Sequence, residues 1–340
     1  MNQNVHIVKP HASLIEGITP YQRIEFAGRN CYQSDSEFTE ETAIKFVQQM
    51  MQRGHGAMLE HGIFVFKIVV PVEDMETMAH AYSALRSVKF ANCHSYVEDG
   101  FCICYAAISL RTLLDNALFL SQMQITASFG EIVEKAYPGI PVCDWTPFQR
   151  GTDTGNAEVT LMAQEEMYEG LPTAAILNCV SLSIRYITDR GVSHELVRHR
   201  VASFAQESTR YCNYSKDKYN GRVQFIEPAG FDTWTCQQKE AFIDALAFAE
   251  KQYLAALERG LKAQQARAIL PNATKTDIVV TMNVEELIHF FNLRYHGTTG
   301  APHPDMLEIT KQSFPIVIEE LSKYKHVGDI ISALRREKEK

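Results

Sequence analysis

The chain has 340 residues and a mass of 38.5 kDa, enough for one large domain or two ordinary ones, and its 46% hydrophobic content supplies a sizeable core. A net charge of −8 and a pI near 5.9 exclude a broad nucleic-acid surface, yet leave room for a small anion held by a few local cations. No run approaches the roughly 18 to 20 apolar residues that cross a bilayer, and the opening MNQNVHIVKPHASL has neither a basic region nor a signal-type apolar stretch, so the cytoplasm is the expected compartment.

Residues 39–53, TEETAIKFVQQMMQR, set Ala43, Phe46, Val47, Met50 and Met51 on one helical face behind Thr39 as N-cap. After the turn Gly54-His55-Gly56, the β-branched and aromatic run IFVFKIVVP reads as a strand ended by proline. The next strand signal is NCVSLSIRYI at 178–187. Between them lie helical patterns such as YAAISLRTLLDNALFLSQM and a polar loop, DWTPFQRGTDTGN. The segment 72–178 therefore reads as an insertion or elaboration, its role unassigned, within a single domain spanning 1–340.

Further on, KEAFIDALAFAEKQYLAALERG aligns Phe242, Leu246, Ala249 and Tyr253 on one face and stops near Gly260. A shorter helical piece closes at Leu270-Pro271. Residues 283–294 and 304–325 read as two more helices, the second kinked or broken before Pro315. No internal repeat is evident, and neither of the two common glycine-rich phosphate turns occurs. The irregular alternation of elements predicts an α+β fold, with an antiparallel-leaning central sheet flanked by helices.

The densest polar stretch runs from Ser193 to Ser215, SHELVRHRVASFAQESTRYCNYS. Arg198, Arg200 and Arg210, with Ser203, Ser208 and Thr209, form a donor set suited to phosphate, because guanidinium forks bind two oxygens and hydroxyls fill the remaining lone pairs. A solvated helix face laced with salt bridges is the competing reading. His194 and His199 are five apart, so on a helix they diverge by about 140°, against the shared face of a zinc-binding His-Glu-x-x-His, and no metal is expected. Cys102 and Cys104 alternate as buried strand residues would. The eight cysteines fall at irregular spacings and are expected to be reduced. Cys212 beside Tyr211 is the one that a thiol mechanism would single out.

Taken in order, three clusters resemble the flavin-dependent thymidylate synthases, a family unrelated to the cysteine-nucleophile enzymes. Its Arg-His-Arg signature, followed by seven residues and a serine, is similar to Arg198-His199-Arg200-VASFAQE-Ser208. Its Gly-His…Glu-His before a Phe-x-Phe strand resembles Gly54-His55…Glu60-His61 and FVF. Its Ala-Arg-x-x-Leu-Pro resembles residues 266–271, and its Asn-x-Arg…Phe-x-x-Leu-Arg helix resembles Asn283-Val284-Glu285…Phe290-Phe291-Asn292-Leu293-Arg294. The chain departs from the commonest pattern in Glu195 for Gln, Ala205-Gln206 for Asn-Glu, and Glu285 and His289 for Arg and Asn.

The resemblance implies reductive methylation of dUMP to dTMP by a homotetramer. Methylenetetrahydrofolate would be the carbon donor and FAD, reduced by NADPH, the hydride source. Carried over by position, the cofactor contacts are His55, Arg198, His199, Arg200, Asn283, Glu285, His289 and His303. Those to dUMP are Glu195, Arg198, Gln206, Glu207, Ser208, Thr209, Arg210, Arg267 and Arg294. Arg294, set against the N3 side of uracil, would be catalytic. The family likeness leaves a flavin- or nucleotide-binding protein without the reaction as the alternative.

Overall fold

The structure, a computed structural model, describes residues 5–34 and 37–335. In chain order its strands are β1 (His6–Val8), β2 (His11–Leu14), β3 (Ile63–Pro71), β4 (Ala91–Glu98), β5 (Phe101–Ser109), β6 (Glu158–Leu161), β7 (Ser181–Asp189), β8 (Ser203–Gln206), β9 (Gln224–Ile226) and β10 (Lys275–Asn283). They form two four-stranded antiparallel sheets, ordered β4-β5-β3-β6 and β2-β7-β10-β8, and a small parallel pair, β1 with β9. Helices pack around them, so the fold is α+β, with two sheets in place of the single central sheet the sequence suggested.

Local signals explain the first elements. Helix α1 (Pro20–Tyr32) starts with Pro20 at its first turn and Thr19 in a reciprocal capping box with Gln22. In α2 (Glu40–Gln52), Thr39 is the cap, and Ala43, Val47 and Met50 are buried as the periodicity requires. The two helices approach closely because Gly28 lacks a side chain: a Cβ there would lie 2.1 Å from the Phe46 ring. A one-turn helix, α3 (Gly56–Leu59), then feeds β3, whose Phe64, Phe66, Ile68 and Val70 are each at most 1% exposed. Val65 turns to the opposite face and joins the second core.

Within the segment 72–178 part of the expected helix is strand. After α4 (Met75–Ser87) the segment contributes β4, β5 and β6, all to the sheet of β3. Tyr105–Ser109, read as helical, completes β5, and helix α5 (Leu110–Asp115) begins only where Ser109 accepts from the Thr112 amide at 3.2 Å. The reason is non-local: β5 pairs along its whole length with β3, and those ladder bonds override a helical pattern of modest strength. Cys102 and Cys104 alternate into the core of that strand, as expected. Helix Pro304–Leu321, expected to be kinked or broken before Pro315, runs through that residue without a break. Proline removes one amide donor, and the buried Met306, Ile309, Val317 and Leu321 on both sides hold the helix together.

The two sheets are built alike, although the sequence shows no repeat. In the first, Ile63 faces Ser109 and Pro71 faces Phe101; in the second, Ser181 faces Asn283 and Asp189 faces Lys275, so both nine-residue central pairs are in full register. The outer strands match too. Asn92 pairs with Ala107 as Ser203 pairs with Thr281, and Leu161 pairs with Phe66 as Leu14 pairs with Ile184. Each sheet continues from its second central strand into a capped helix, at Ser109 and at Asn283. The chain order of the outermost strands is crossed: β2 precedes β3 but joins the second sheet, while β6 precedes β7 but joins the first. Packing crosses as well. His61, after α3, bonds Thr281 of β10 at 2.8 Å, whereas Cys179, ending helix Thr173–Cys179, reaches the Tyr105 carbonyl of β5 at 3.5 Å.

Candidate functional site

The polar stretch from Ser193 is laid out by the second sheet. Asp189, the last residue of β7, accepts from the Val192 amide at 2.8 Å and so caps helix Arg190–Leu196, which carries Glu195. The chain then turns through Arg198, His199 and Arg200 before entering β8. Asn283, the last residue of β10, accepts from the Glu286 amide at 2.9 Å and caps helix Val284–Arg294. Because β8 and β10 pair antiparallel, the turn holding His199 meets the start of that helix.

Five side chains gather there: Glu195, His199, Glu286, His289 and Arg294. The His199 ring lies 5.3 Å from that of His289 and stands edge-on to Phe290 at 5.4 Å. Arg294 donates through Nη1 to Glu195 Oε2 and through Nη2 to the Glu195 carbonyl, both at 3.3 Å. His199 Nε2 and Glu286 Oε2 are 3.2 Å apart, but neither has an aligned hydrogen bond, and Arg294 Nε is likewise buried without a partner. Burial brings the His199 pKa down to about 4, helped by His289 and Arg294, so the ring is neutral at pH 7. Burial pushes the Glu286 carboxyl up, with His289 opposing. Three buried polar atoms without hydrogen-bond partners thus belong to one cluster, and such atoms are the donors and acceptors that a bound polar ligand would satisfy.

The residues carried over for the nucleotide separate into two kinds. Gln206 donates from Nε2 to Ser193 Oγ at 2.8 Å and to Thr276 Oγ1 at 3.0 Å. Glu207 is 1% exposed, and its carboxylate accepts from Tyr214 at 2.8 Å and Lys275 at 3.0 Å, so the fold already uses it. Ser208 is held by its amide on the Cys31 carbonyl at 2.9 Å, and Thr209 is buried. Arg210 is exposed, its guanidinium 5.5 Å over the Tyr211 ring. Tyr211 lies 5.5 Å from Tyr32, whose hydroxyl is 3.4 Å from His55 Nδ1. This line of contacts brings His55, the N-cap residue of α3, to the Arg210 side.

Arg198, Arg200 and Arg267 are exposed and make no ion pair among the described residues, and Glu285 is exposed at the first turn of its helix. His303 caps helix Pro304–Leu321, accepting from the Asp305 amide at 3.3 Å. Among the described residues, no hydrogen bond, ion pair or ring contact joins Arg267 or His303 to either group. Glu286, Tyr32 and Tyr211 were missed by the sequence reading. Glu286 had a usable signal, three residues after a capping Asn; the tyrosines had none, because only folding brings α1 to the chain after β8.

The first sheet does not repeat this site. Ser109, Arg111 and Asp115 stand at the places of Asn283, Glu285 and His289, and α5 has 6 residues against 11, leaving no counterpart of Arg294. All eight cysteines are unpaired. Cys212 is 1% exposed, and burial pushes its thiol pKa up, so it is not poised as a nucleophile.

The model of the thymidylate synthase complementing protein family, Thy1, matches residues 13–89 and 164–320. The chain belongs to this family. The unmatched interval between those segments contains β4, β5 and β6. A flavin-dependent thymidylate synthase of Geobacter sulfurreducens is 42% identical over 105 residues, which is 31% of this chain and 43% of that one. One from Saccharolobus solfataricus is 34% identical over 142 residues, 42% of this chain and 52% of the relative. The chain thus spans about half the length of the curated relatives it matches. Among solved structures, the UMP/dUMP methylase PolB from Streptomyces cacaoi, bound with 5-Br dUMP, superimposes over 97% of both chains with a TM-score of 0.40 and 13% identity. The thymidylate synthase ThyX from Helicobacter pylori with FAD and dUMP covers 44% of this chain and 73% of its own, at a TM-score of 0.33 and 19% identity. Overlaps that low carry no argument about the site.

Proposed function

We propose that this protein converts dUMP to dTMP by reductive methylation, with methylenetetrahydrofolate as carbon donor and FAD, reduced by NADPH, as hydride source. Family membership supports the reaction class. The observation that carries the reading for this chain is Arg294, held at two points by Glu195 beside the orphaned His199 and Glu286 atoms.

C5 of uracil is a weak nucleophile, and with no thiol poised to add at C6, its electron density must be raised electrostatically. Arg294 against N3 and the adjacent carbonyl does this, stabilising the charge that develops there. Glu195 fixes the plane of the guanidinium, which matters because a planar fork acts only in register with its target. Arg198, Arg210 and Arg267, with the hydroxyls of Ser208 and Thr209, hold the phosphate. Gln206 steadies that strand from within, through Ser193 and Thr276.

The three orphaned atoms fit a flat, hydrogen-bonding ring, and neutral His199 can meet one without a charge penalty. His55, Arg198, His199, Arg200, Asn283, Glu285, His289 and His303 would hold the FAD. Bound flavin supplies the hydride that makes the transferred carbon a methyl group. The exposed arginines, without an ion pair among the described residues, support a homotetramer in which neighbouring chains complete each site. Unpaired cysteines suit a reducing compartment such as the cytoplasm. The structure has no helix long and apolar enough to cross a membrane among the described residues.

The test is the visible spectrum of the purified protein with and without dUMP, followed by dTMP formation from methylenetetrahydrofolate and NADPH. A flavin spectrum perturbed by dUMP, with product formed, is the expected result. Stoichiometric flavin without product would instead identify a binding protein of this fold that lacks the reaction.

A further inference from the structure

A cavity of about 780 Å³ lies between the two sheets, and none of the residues assigned above to FAD or dUMP lines it. Its walls are the matching ends of the crossed strands, Leu14–Ile15 and Leu161–Met162, and the starts of β3 and β7. It therefore sits where the two similarly built halves meet. It is within the size range of small-molecule sites, about 300 to 1,000 Å³.

Arg23 of α1 lines it. Its Nε is shut off from solvent without a partner, and its guanidinium makes no ion pair or hydrogen bond among the described residues. The other charges facing the cavity are accounted for. Lys323 bonds both Glu320 and Glu16, Tyr168 donates to Glu320 at 2.9 Å, and Glu165 is exposed at the rim. An arginine stays protonated even where burial lowers its pKa, and although the Glu320 carboxylate opposes that shift from a distance, no anion touches the guanidinium directly among the described residues to offset its desolvation. Around it stand Tyr137, Tyr168 and Tyr324, the last two rings packed edge to face at 4.8 Å. Such rings give a flat apolar group a surface to lie on.

We propose that this cavity is a binding site for a small aromatic carboxylate, its carboxylate on Arg23 and its ring among the three tyrosines. Glu320 also faces the cavity, so one negative charge is accommodated better than the two of a phosphate monoester. The site is independent of the reaction proposed above and belongs to the seam between the halves.

The test uses the full chain with benzoate, phenyl phosphate and neutral benzamide as probes, followed by ligand-observed NMR titration. Benzoate should bind at concentrations of ~10 mM or below and at least about tenfold more tightly than either of the others. Arg23→Gln should weaken benzoate at least about tenfold while leaving benzamide unchanged. Met162→Trp, which fills the cavity from its wall and keeps the arginine, should abolish benzoate binding and serves if Arg23→Gln folds poorly. Adding dUMP should not displace benzoate. Equal binding of benzoate and benzamide, undiminished benzoate binding in either variant, displacement by dUMP, or no benzoate binding to the unmodified protein would each overturn the proposal. Tighter binding of phenyl phosphate would overturn the carboxylate assignment.

Discussion

Arg294 and Glu195 are joined at two points, from Nη1 to the side-chain Oε2 and from Nη2 to the main-chain carbonyl, each at 3.3 Å. One bond alone would let the guanidinium swing about it; two set its plane, which is the property an electrostatic catalyst of uracil requires. Arg294→Ala should therefore slow dTMP formation by about a hundredfold or more, roughly 3 kcal/mol in the barrier. Arg294→Lys should rescue only part, because an ammonium has no plane to fix. Glu195→Gln keeps an oxygen acceptor and the main-chain contact, and should cost less than about tenfold. Cys212→Ser should turn over nearly as the unmodified protein does, and an inactive Cys212→Ser beside an active Arg294→Ala would reverse the assignment.

Arg210 and Arg267 are exposed and have no ion pair among the described residues. Replacing either by alanine removes no ion pair, only the stacking of Arg210 on the exposed Tyr211 ring, and should leave flavin binding intact. Affinity for dUMP should drop by roughly 2 kcal/mol, about thirtyfold, for each. Isothermal titration checks this, and unchanged affinity in both variants would remove them from the phosphate site.

Only the second sheet carries the site, since Ser109, Arg111 and Asp115 replace Asn283, Glu285 and His289 in the first. Saturation binding should accordingly reach one dUMP per chain. A value of two would mean that the first sheet is also competent.

Two buried histidines make the fold acid-sensitive. Burial brings the pKa of His61 down to about 3 and that of His199 to about 4, whereas an unfolded imidazole titrates near 6.5. Between those values the unfolded chain binds more protons than the folded one, so stability is lost as pH falls below about 6.5. From pH 7 to pH 5 each histidine should remove about 2 kcal/mol, a figure set by the unfolded pKa as long as the folded one lies below 5. Urea unfolding at the two pH values measures the difference. His61→Gln, though less stable at pH 7 for want of its bond to Thr281, should shrink that difference by about 2 kcal/mol. A variant with the full pH dependence would show that His61 does not cause it.

Features under local chemical control could be read from the residues alone. Thr39, with the apolar face of α2, sufficed to place that helix, and IFVFKIVVP was legible as a strand because alternation and β-branching act over neighbouring residues. The run from Arg198 to Arg210 and the helix ending in Arg294 were likewise legible as motifs, since their residue types are unusual at that spacing. What they do to one another was decided by the tertiary structure. Pairing of β8 with β10 puts His199 against Glu286 and His289, and covering of β8 by α1 puts Tyr32 between Tyr211 and His55. The likeness of the two sheets was hidden for the same reason. Register depends on which strand lies alongside, and backbone hydrogen bonds do not record residue identity, so Ile63 opposite Ser109 and Ser181 opposite Asn283 are equivalent without resembling each other. The crossing of β2 and β6 between sheets, and the cavity it encloses around Arg23, exist only once those long-range pairings have formed.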